Sequence, residues 1–251
     1  MNKNITALYK KSFIEAVILA NKELHTYINT NLSSKDYEYT NTTGFGGDNS
    51  LKIDLIAENI FIKYLEKFGN IYSEECGLLS TDKEFTIVID PLDGSNNFYS
   101  RLPYYGTSVA LKKDEITIAG FVTNLVTTII TYRAFEDEIK QISLIDLNEI
   151  ELYKSEKTRI SIFERAYEYP EIVKKLFENR IKFRSLGAVA LSLCDAKKYD
   201  FVLYGGKIRD FDIAAALYIC NDLYVYQSSK FLLISKNADK YKLIKEFIKE
   251  E

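Results

Sequence analysis

Histidine is almost absent from this chain: His25 is the only one in 251 residues. Ser-His-Asp and Cys-His nucleophiles and His-rich zinc sites all lose their key residue unless His25 supplies it. His25 falls within an amphipathic helical pattern carried by Ile5, Leu8, Phe13, Val17, Ala20 and Leu24, where a packing or surface role suits it better. Cysteine is also scarce. Cys76, Cys194 and Cys220 are too dispersed for a C-x-x-C zinc site and odd in number, so they read as reduced, mostly buried thiols. Cys76 alone, following two glutamates, invites a redox reading. Charge of one sign is missing too, with 33 basic against 36 acidic side chains and a net charge of −3. That balance leaves no electrostatic footprint for nucleic acid or an anionic membrane. No long apolar run is present. The longest uncharged stretch, Ile116 to Tyr132, is punctuated by Gly120, Asn124 and several threonines, which predicts two strands and no membrane helix. Met1 to Lys11 has no apolar core followed by a small-residue cleavage site, so the expectation is a soluble, cytoplasmic protein.

What the chain does have is core material, 47% hydrophobic and 14% aromatic residues, enough for one large or two modest domains. Periodicity predicts a helix from Ile5 to Asn29, then a polar, glycine-bearing segment from Thr30 to Asn49 that reads as a loop over a site. A second helix is expected from Leu55 to Phe68, with Asp54 as its N-cap. Ile71 to Ser73 and Phe85 to Ile89 read as strands, and Tyr104 to Glu151 as a strand-rich region with a hairpin turn at Lys113 to Glu115. The pattern then alternates. Helices are expected at Pro170 to Asn179, Gly187 to Lys198, Asp212 to Cys220 and from Ala238, with strands at Ile181 to Arg184, at Phe201 to Tyr204 and up to Ser235. The fold class is therefore α+β with an α/β second half, divided into residues 1–134 and 135–251.

The most specific segment is Asp90-Pro91-Leu92-Asp93-Gly94-Ser95-Asn96-Asn97-Phe98. A buried strand delivers Asp90 at its C-terminal end, where ligands commonly sit. Pro91 fixes the direction of exit, and Gly94 gives the backbone room to approach a ligand. Asp90 and Asp93 then converge on one side of the turn and offer hard oxygens of the kind Mg²⁺ prefers, with the Leu92 carbonyl as a neutral ligand. A helix starting at Ser95 or Asn96 would point free N–H groups at the same place. A bare D-x-x-D-G alone fits a solvated Asx turn better, and the full string is what argues for metal and phosphate.

These residues resemble the Mg²⁺-dependent, lithium-sensitive sugar phosphatases that include inositol monophosphatase and fructose-1,6-bisphosphatase. Ile53-Asp54 with Glu58, Ser73-Glu74-Glu75, Asp90 to Phe98, Arg184-Ser185-Leu186-Gly187 and Asp212-Ile213-Ala214-Ala215 follow in the family's order. The last element is most similar to the archaeal branch, whose members often act on both inositol and fructose phosphates. The resemblance implies a layered αβαβα sandwich, two or three Mg²⁺ per site, a sugar or polyol phosphate as substrate, and a homodimer. It implies that Glu74, Asp90 and the Leu92 carbonyl hold one metal and that Asp90, Asp93 and Asp212 hold another, with Glu75 behind them. Asp54 and the Ser95 hydroxyl would activate water. Gly94, Ser95 and Asn96 would bind phosphate, and Arg184, Gly187 and Ala188 would border the substrate. Taken alone, Glu74-Glu75 reads as a solvated acidic pair and Asp212 as a helix N-cap.

Some positions depart from the family pattern. Ser95 stands for the commoner Thr and keeps the hydroxyl, and Phe211 stands for Trp. Tyr204 and Gly205 occupy the neighbourhood where the inositol branch carries an acidic side chain, and Ala188 replaces a hydroxyl residue. The implied activity is hydrolysis of inositol 1-phosphate, fructose 1,6-bisphosphate, or both. An adenosine 3′,5′-bisphosphate nucleotidase and a catalytically idle regulatory relative are the alternatives.

Overall fold

The computed structural model describes residues 5–47, 49–79, 82–152 and 158–249. Asp48 of the polar segment and residues 1–4 of the N-terminal stretch thus lie outside the described residues. The first helix, α1 (Ala7–Thr30), starts where the Thr6 hydroxyl accepts the Tyr9 N–H at 3.1 Å. It buries Phe13, Ala16, Val17, Ala20 and Leu24 along one stripe. His25 lies on this helix beside the buried stripe, half-buried, and burial lowers its pKa.

The segment read as a loop contains structure. Strands β1 (Tyr39–Thr43) and β2 (Asn49–Leu51) form an antiparallel ribbon. Polar β1 lacks the apolar alternation by which a strand is recognised, so periodicity alone misses it. Helix α2 (Lys52–Leu65) begins before the expected start, and Asp54 is not its N-cap. Leu51 holds that position, and Asp54 reaches back from the first turn to accept the Leu51 N–H at 2.7 Å.

A seven-stranded sheet follows, built from β3 (Asn70–Ser73), β4 (Gly77–Leu79) and β5 (Phe85–Asp93). After the short helix α3 (Ser95–Tyr99) it continues with β6 (Gly106–Lys113), β7 (Ile116–Asn124), β8 (Ile129–Ala134) and β9 (Lys140–Ser143). The strand order is β4-β3-β5-β6-β7-β8-β9, and only the β3/β5 pair is parallel. Asp114 and Glu115 take positive φ values of 48° and 65°, as a two-residue hairpin turn requires.

The second sheet combines β10 (Ser161–Glu164), β11 (Phe183–Arg184), β12 (Val202–Gly205), β13 (Tyr224–Gln227) and β14 (Phe231–Ser235) in the order β11-β10-β12-β14-β13. Its helices are α4 (Pro170–Glu178), α5 (Val189–Cys194), α6 (Asp210–Ile219) and α7 (Ala238–Lys249). Helix α5 is shorter than expected, because a separate 3₁₀ turn covers Ala196–Lys198. Helix α6 begins two residues before Asp212, which sits in its first turn and is not its N-cap.

Three apolar clusters order these parts into a layered αβαβα sandwich. One joins α1 and α2 to a face of the seven-stranded sheet. The second packs α5 and α6 between the two sheets, and the third covers the outer face of the smaller sheet with α4 and α7. Gly120 of β7 sets the spacing of the middle layer. A Cβ there would stand 2.5 Å from the Ala215 carbonyl oxygen, so α6 lies directly against the sheet and carries Asp212 to a fixed height. Among the described residues, no helix is long and apolar enough to cross a membrane.

Candidate active site

The parallel pairing of β3 with β5 puts Ser73 opposite Ile89, so Glu74, just past the end of β3, comes beside Asp90 of β5. The Glu74 N–H completes the pairing by donating to the Ile89 carbonyl at 3.1 Å. Asp212 arrives from the other side, on the first turn of α6. Glu74, Asp90 and Asp212 each offer a carboxylate oxygen, and these oxygens lie within 4.8 Å of one another. That spacing is about twice a metal–oxygen bond of roughly 2.0–2.6 Å, so the set suits a hard divalent cation.

Between Asp90 and Asp93 the pairing of β5 with β6 is irregular, and this bulge turns both acids toward the same cleft. The Leu92 N–H donates to Asp90 Oδ1 at 3.0 Å, and the Leu191 N–H donates to Asp93 Oδ2 at 2.9 Å. Gly94 follows with φ +87°, a conformation that glycine tolerates, and it starts α3. Gly94, Ser95, Asn96 and Asn97 line a cleft of about 380 Å³, together with Glu74, Asp90, Leu92, Asp93 and Asp212.

The charge gathered here is unfavourable by itself. Burial raises the Asp90 carboxyl well above its ordinary range, and Glu74, Asp93 and Asp212 add to the effect. Asp93 is raised by burial as well, against the Leu191 N–H. Asp54 is also buried, and burial together with Glu75 and Glu74 pushes it up to about 8 although the Leu51 N–H opposes the rise. Its Oδ1 has no hydrogen-bond partner among the described residues. An unsatisfied buried oxygen beside a ring of acids is what a site built around a cation would contain.

Other expected residues fall into place unevenly. Glu75 lies behind Glu74 and accepts from the Ser50 hydroxyl. Gly187 borders the cleft, whereas buried Ala188 packs under Gly94, where a Cβ on Gly94 would come within 3.0 Å of it. Arg184 points elsewhere: its side chain is exposed and donates to the Phe183 carbonyl at 2.7 Å, while Ser185 lines the cleft. Cys194 and Cys220 are buried, but Cys76 is exposed as a residue. Even so, desolvation of its sulfur and the nearby Glu58 push the Cys76 thiol up to about 12, which holds it in the unreactive protonated form.

Two charged residues escape sequence reasoning altogether. Glu164, at the end of β10, is paired directly with Tyr204 across the sheet. Thus an acid stands beside Tyr204 after all, supplied by the neighbouring strand, and it accepts from the Gly187 N–H at 2.8 Å and from the Ser192 hydroxyl. Arg209 grips Asp212 with Nε and Nη2 at 2.8 and 3.0 Å and reaches Glu74 Oε1 with Nη1 at 2.7 Å. Its place three residues before Asp212, one helical turn away, was the available signal. No local pattern marks Glu164.

The same residues can be set beside known proteins. A model of the Inositol monophosphatase family matches residues 12–223. The chain belongs to the inositol monophosphatase family. It is 31% identical to a fructose-1,6-bisphosphatase of Pyrococcus furiosus over 76% of each chain. It is 29% identical to a fructose-1,6-bisphosphatase/inositol-1-monophosphatase of Methanocaldococcus jannaschii, over 88% of this chain and 85% of the relative. A crystal structure described as an inositol monophosphatase-fructose 1,6 bisphosphatase superposes with a TM-score of 0.78 at 23% identity, over 94% of this chain and 99% of the other. That last likeness speaks to the fold, which the family shares. Fold, family and acidic cluster are consistent with a metal-activated phosphomonoesterase.

Proposed function

We propose that the chain is a Mg²⁺-dependent phosphomonoesterase acting on fructose 1,6-bisphosphate, inositol 1-phosphate, or both, as in the archaeal bifunctional branch of the family. The observation that carries this reading is the convergence of Glu74, Asp90 and Asp212 within 4.8 Å at the floor of a cleft edged by Gly94, Ser95 and Asn96. Glu74, Asp90 and the Leu92 carbonyl would hold one Mg²⁺, and Asp90, Asp93 and Asp212 a second, with a weaker third at Glu74. When bound, Mg²⁺ neutralises the acids, makes water acidic enough to attack, and offsets charge on the leaving oxygen.

The chain's own residues supply the rest. Asp54, buried and with its Oδ1 unpartnered among the described residues, would take the proton from the attacking water once bound cations draw its raised pKa back down and leave it ionised. The Ser95 hydroxyl orients that water, and the backbone amides of Gly94, Ser95 and Asn96 hold the phosphate oxygens. Glu75, tied to Ser50, keeps Glu74 in place. On the sugar side, Gly187 and Ser185 border the substrate, and Arg165 lines the same cleft with its guanidinium lying over Gly206. Arg165 is paired with Glu168 at 2.6 and 3.0 Å and would leave that partner to meet a second anionic group, which only fructose 1,6-bisphosphate of the two carries. The two relatives named above support the same pair of substrates.

The test is phosphate release from fructose 1,6-bisphosphate, inositol 1-phosphate and adenosine 3′,5′-bisphosphate, with Mg²⁺ and after its removal by chelator. Release from either of the first two, dependent on Mg²⁺ and lost in Asp90→Asn, is expected. Release from the nucleotide alone would point to the nucleotidase, and release from none would overturn the reading.

A further inference from the structure

Arg209 is more than a neighbour of the acidic cluster. Its guanidinium lies between Glu74 and Asp212, 2.7 Å from the first and 2.8 and 3.0 Å from the two oxygens of the second. It rests on the Phe211 ring, 5.4 Å from the ring centroid. Burial works against its charge, yet Asp212, Glu74 and Asp90 together keep it firmly protonated. The same side chain also donates from Nη1 to the Gly46 carbonyl at 3.2 Å. Gly46 belongs to the turn between β1 and β2, and that turn is docked on the end of β3. The Phe45 N–H donates to the Glu75 carbonyl at 2.9 Å and the Gly46 N–H to the Glu74 carbonyl at 2.7 Å. The fit is close: a Cβ on Gly46 would stand 2.6 Å from Glu74 Cγ and 2.9 Å from Arg209 Nη1.

From this geometry we infer that Arg209 is a resident counter-cation of the cluster and a latch on the Gly44–Gly47 turn, and that a divalent ion bound by Glu74 and Asp90 takes the Glu74 contact from it. The reasoning is steric and electrostatic. A cation held by Glu74 needs the oxygen that Nη1 grips, and two positive charges cannot share it without strong repulsion. Glu74 is the contact most easily surrendered, because Arg209 holds Asp212 by a bidentate fork and Glu74 by one nitrogen. Once Glu74 turns to the ion, Nη1 loses its anchor there, and its link to Gly46 loosens with it. Arg209 thereby couples occupancy of the cluster to the freedom of the turn above it. It is a positioning residue, and it sets how readily the first ion enters.

The inference rests on the metal-site reading and is tested by metal binding alone, without turnover. Mn²⁺ is titrated into wild type, Arg209→Gln and Arg209→Lys, with free Mn²⁺ followed by electron paramagnetic resonance, while amide hydrogen exchange is measured for Phe45 and Gly46. Arg209→Gln should bind the first Mn²⁺ about tenfold tighter, ~1.4 kcal/mol. Arg209→Lys, whose point charge cannot span both acids, should fall between the two. Exchange at Phe45 and Gly46 should be faster in Arg209→Gln than in wild type, and saturating Mn²⁺ should speed it in wild type to a similar degree. Equal or weaker Mn²⁺ binding in Arg209→Gln overturns the inference, as does exchange at the turn that neither the substitution nor the ion changes. Should Arg209→Gln fail to fold, Arg209→Lys carries the test, and binding no tighter than wild type overturns it. A wild-type chain that holds no Mn²⁺ overturns the metal-site reading itself.

Discussion

Replacing Asp54 by Asn removes a charge while keeping shape, and it should change how stability depends on pH. In the folded chain this carboxyl is raised from an ordinary value of 3.8 to about 8 by burial, Glu75 and Glu74, against the opposing Leu51 N–H. The unfolded chain loses the proton near the ordinary value and the folded chain only near 8. Between these limits the unfolded state therefore binds fewer protons, and wild-type stability falls as pH rises. At ~1.4 kcal/mol for each pH unit, and over about four such units, the loss from this group alone approaches ~5 kcal/mol. The asparagine amide oxygen would still accept the Leu51 N–H, and the amide would not titrate. The stability of Asp54→Asn relative to wild type should thus climb by ~1.4 kcal/mol per pH unit from about pH 4 to about pH 8. Urea unfolding of both proteins at several pH values across that window, in the presence of chelator, measures the difference directly. In the same variant, Mg²⁺-dependent phosphate release should drop about a thousandfold, on the scale of losing a general base. Parallel stability profiles for the two proteins would refute the argument, because Asp54 would then be ionised in the folded chain.

Other consequences follow from packing and charge. Gly120→Ala places a Cβ 2.5 Å from the Ala215 carbonyl oxygen, so α6 must shift; a stability loss of about 1–3 kcal/mol in urea unfolding is expected, with weaker Mn²⁺ binding because Asp212 moves with the helix. Arg165→Ala should raise KM for fructose 1,6-bisphosphate about tenfold, ~1.4 kcal/mol, and leave KM for inositol 1-phosphate nearly unchanged; equal effects on both would remove Arg165 from substrate choice.

The fold was legible wherever apolar periodicity ran unbroken. Helix α1 declares itself through Phe13, Val17, Ala20 and Leu24, and β5 through a run of β-branched and aromatic residues, because burial demands those spacings. At Asp54 and Asp212 the helices start earlier than the sequence pattern suggests, for one shared reason. An acid before an apolar helix reads as an N-cap, yet an acid in the first turn can serve the free N–H groups from inside the helix. The β1/β2 ribbon was invisible because its residues are polar and its stability comes from docking. Its turn is held by the carbonyls of Glu74 and Glu75, contacts that no periodicity within 39–51 encodes.

The site divides along a similar line. Asp90, Asp93, Gly94 and Ser95 are read together because one local turn contains them, and their spacing states their chemistry. Residues on the substrate-facing wall reach it by tertiary routes. Glu164 stands beside Tyr204 only because β10 and β12 pair in register, and Arg209 faces Glu74 only because α6 is pressed against β7 at Gly120. The acidic cluster thus joins one local turn at Asp90 to Glu74 after β3 and Asp212 on α6, while the opposite wall depends on how the two sheets stack. On the proposed reading, substitutions in that wall should alter which group is recognised without disturbing the turn proposed to hold the phosphate. Glu164, Tyr204 and Arg165 lie there, so on the proposed reading the sequence speaks clearly about the phosphate and faintly about the group attached to it.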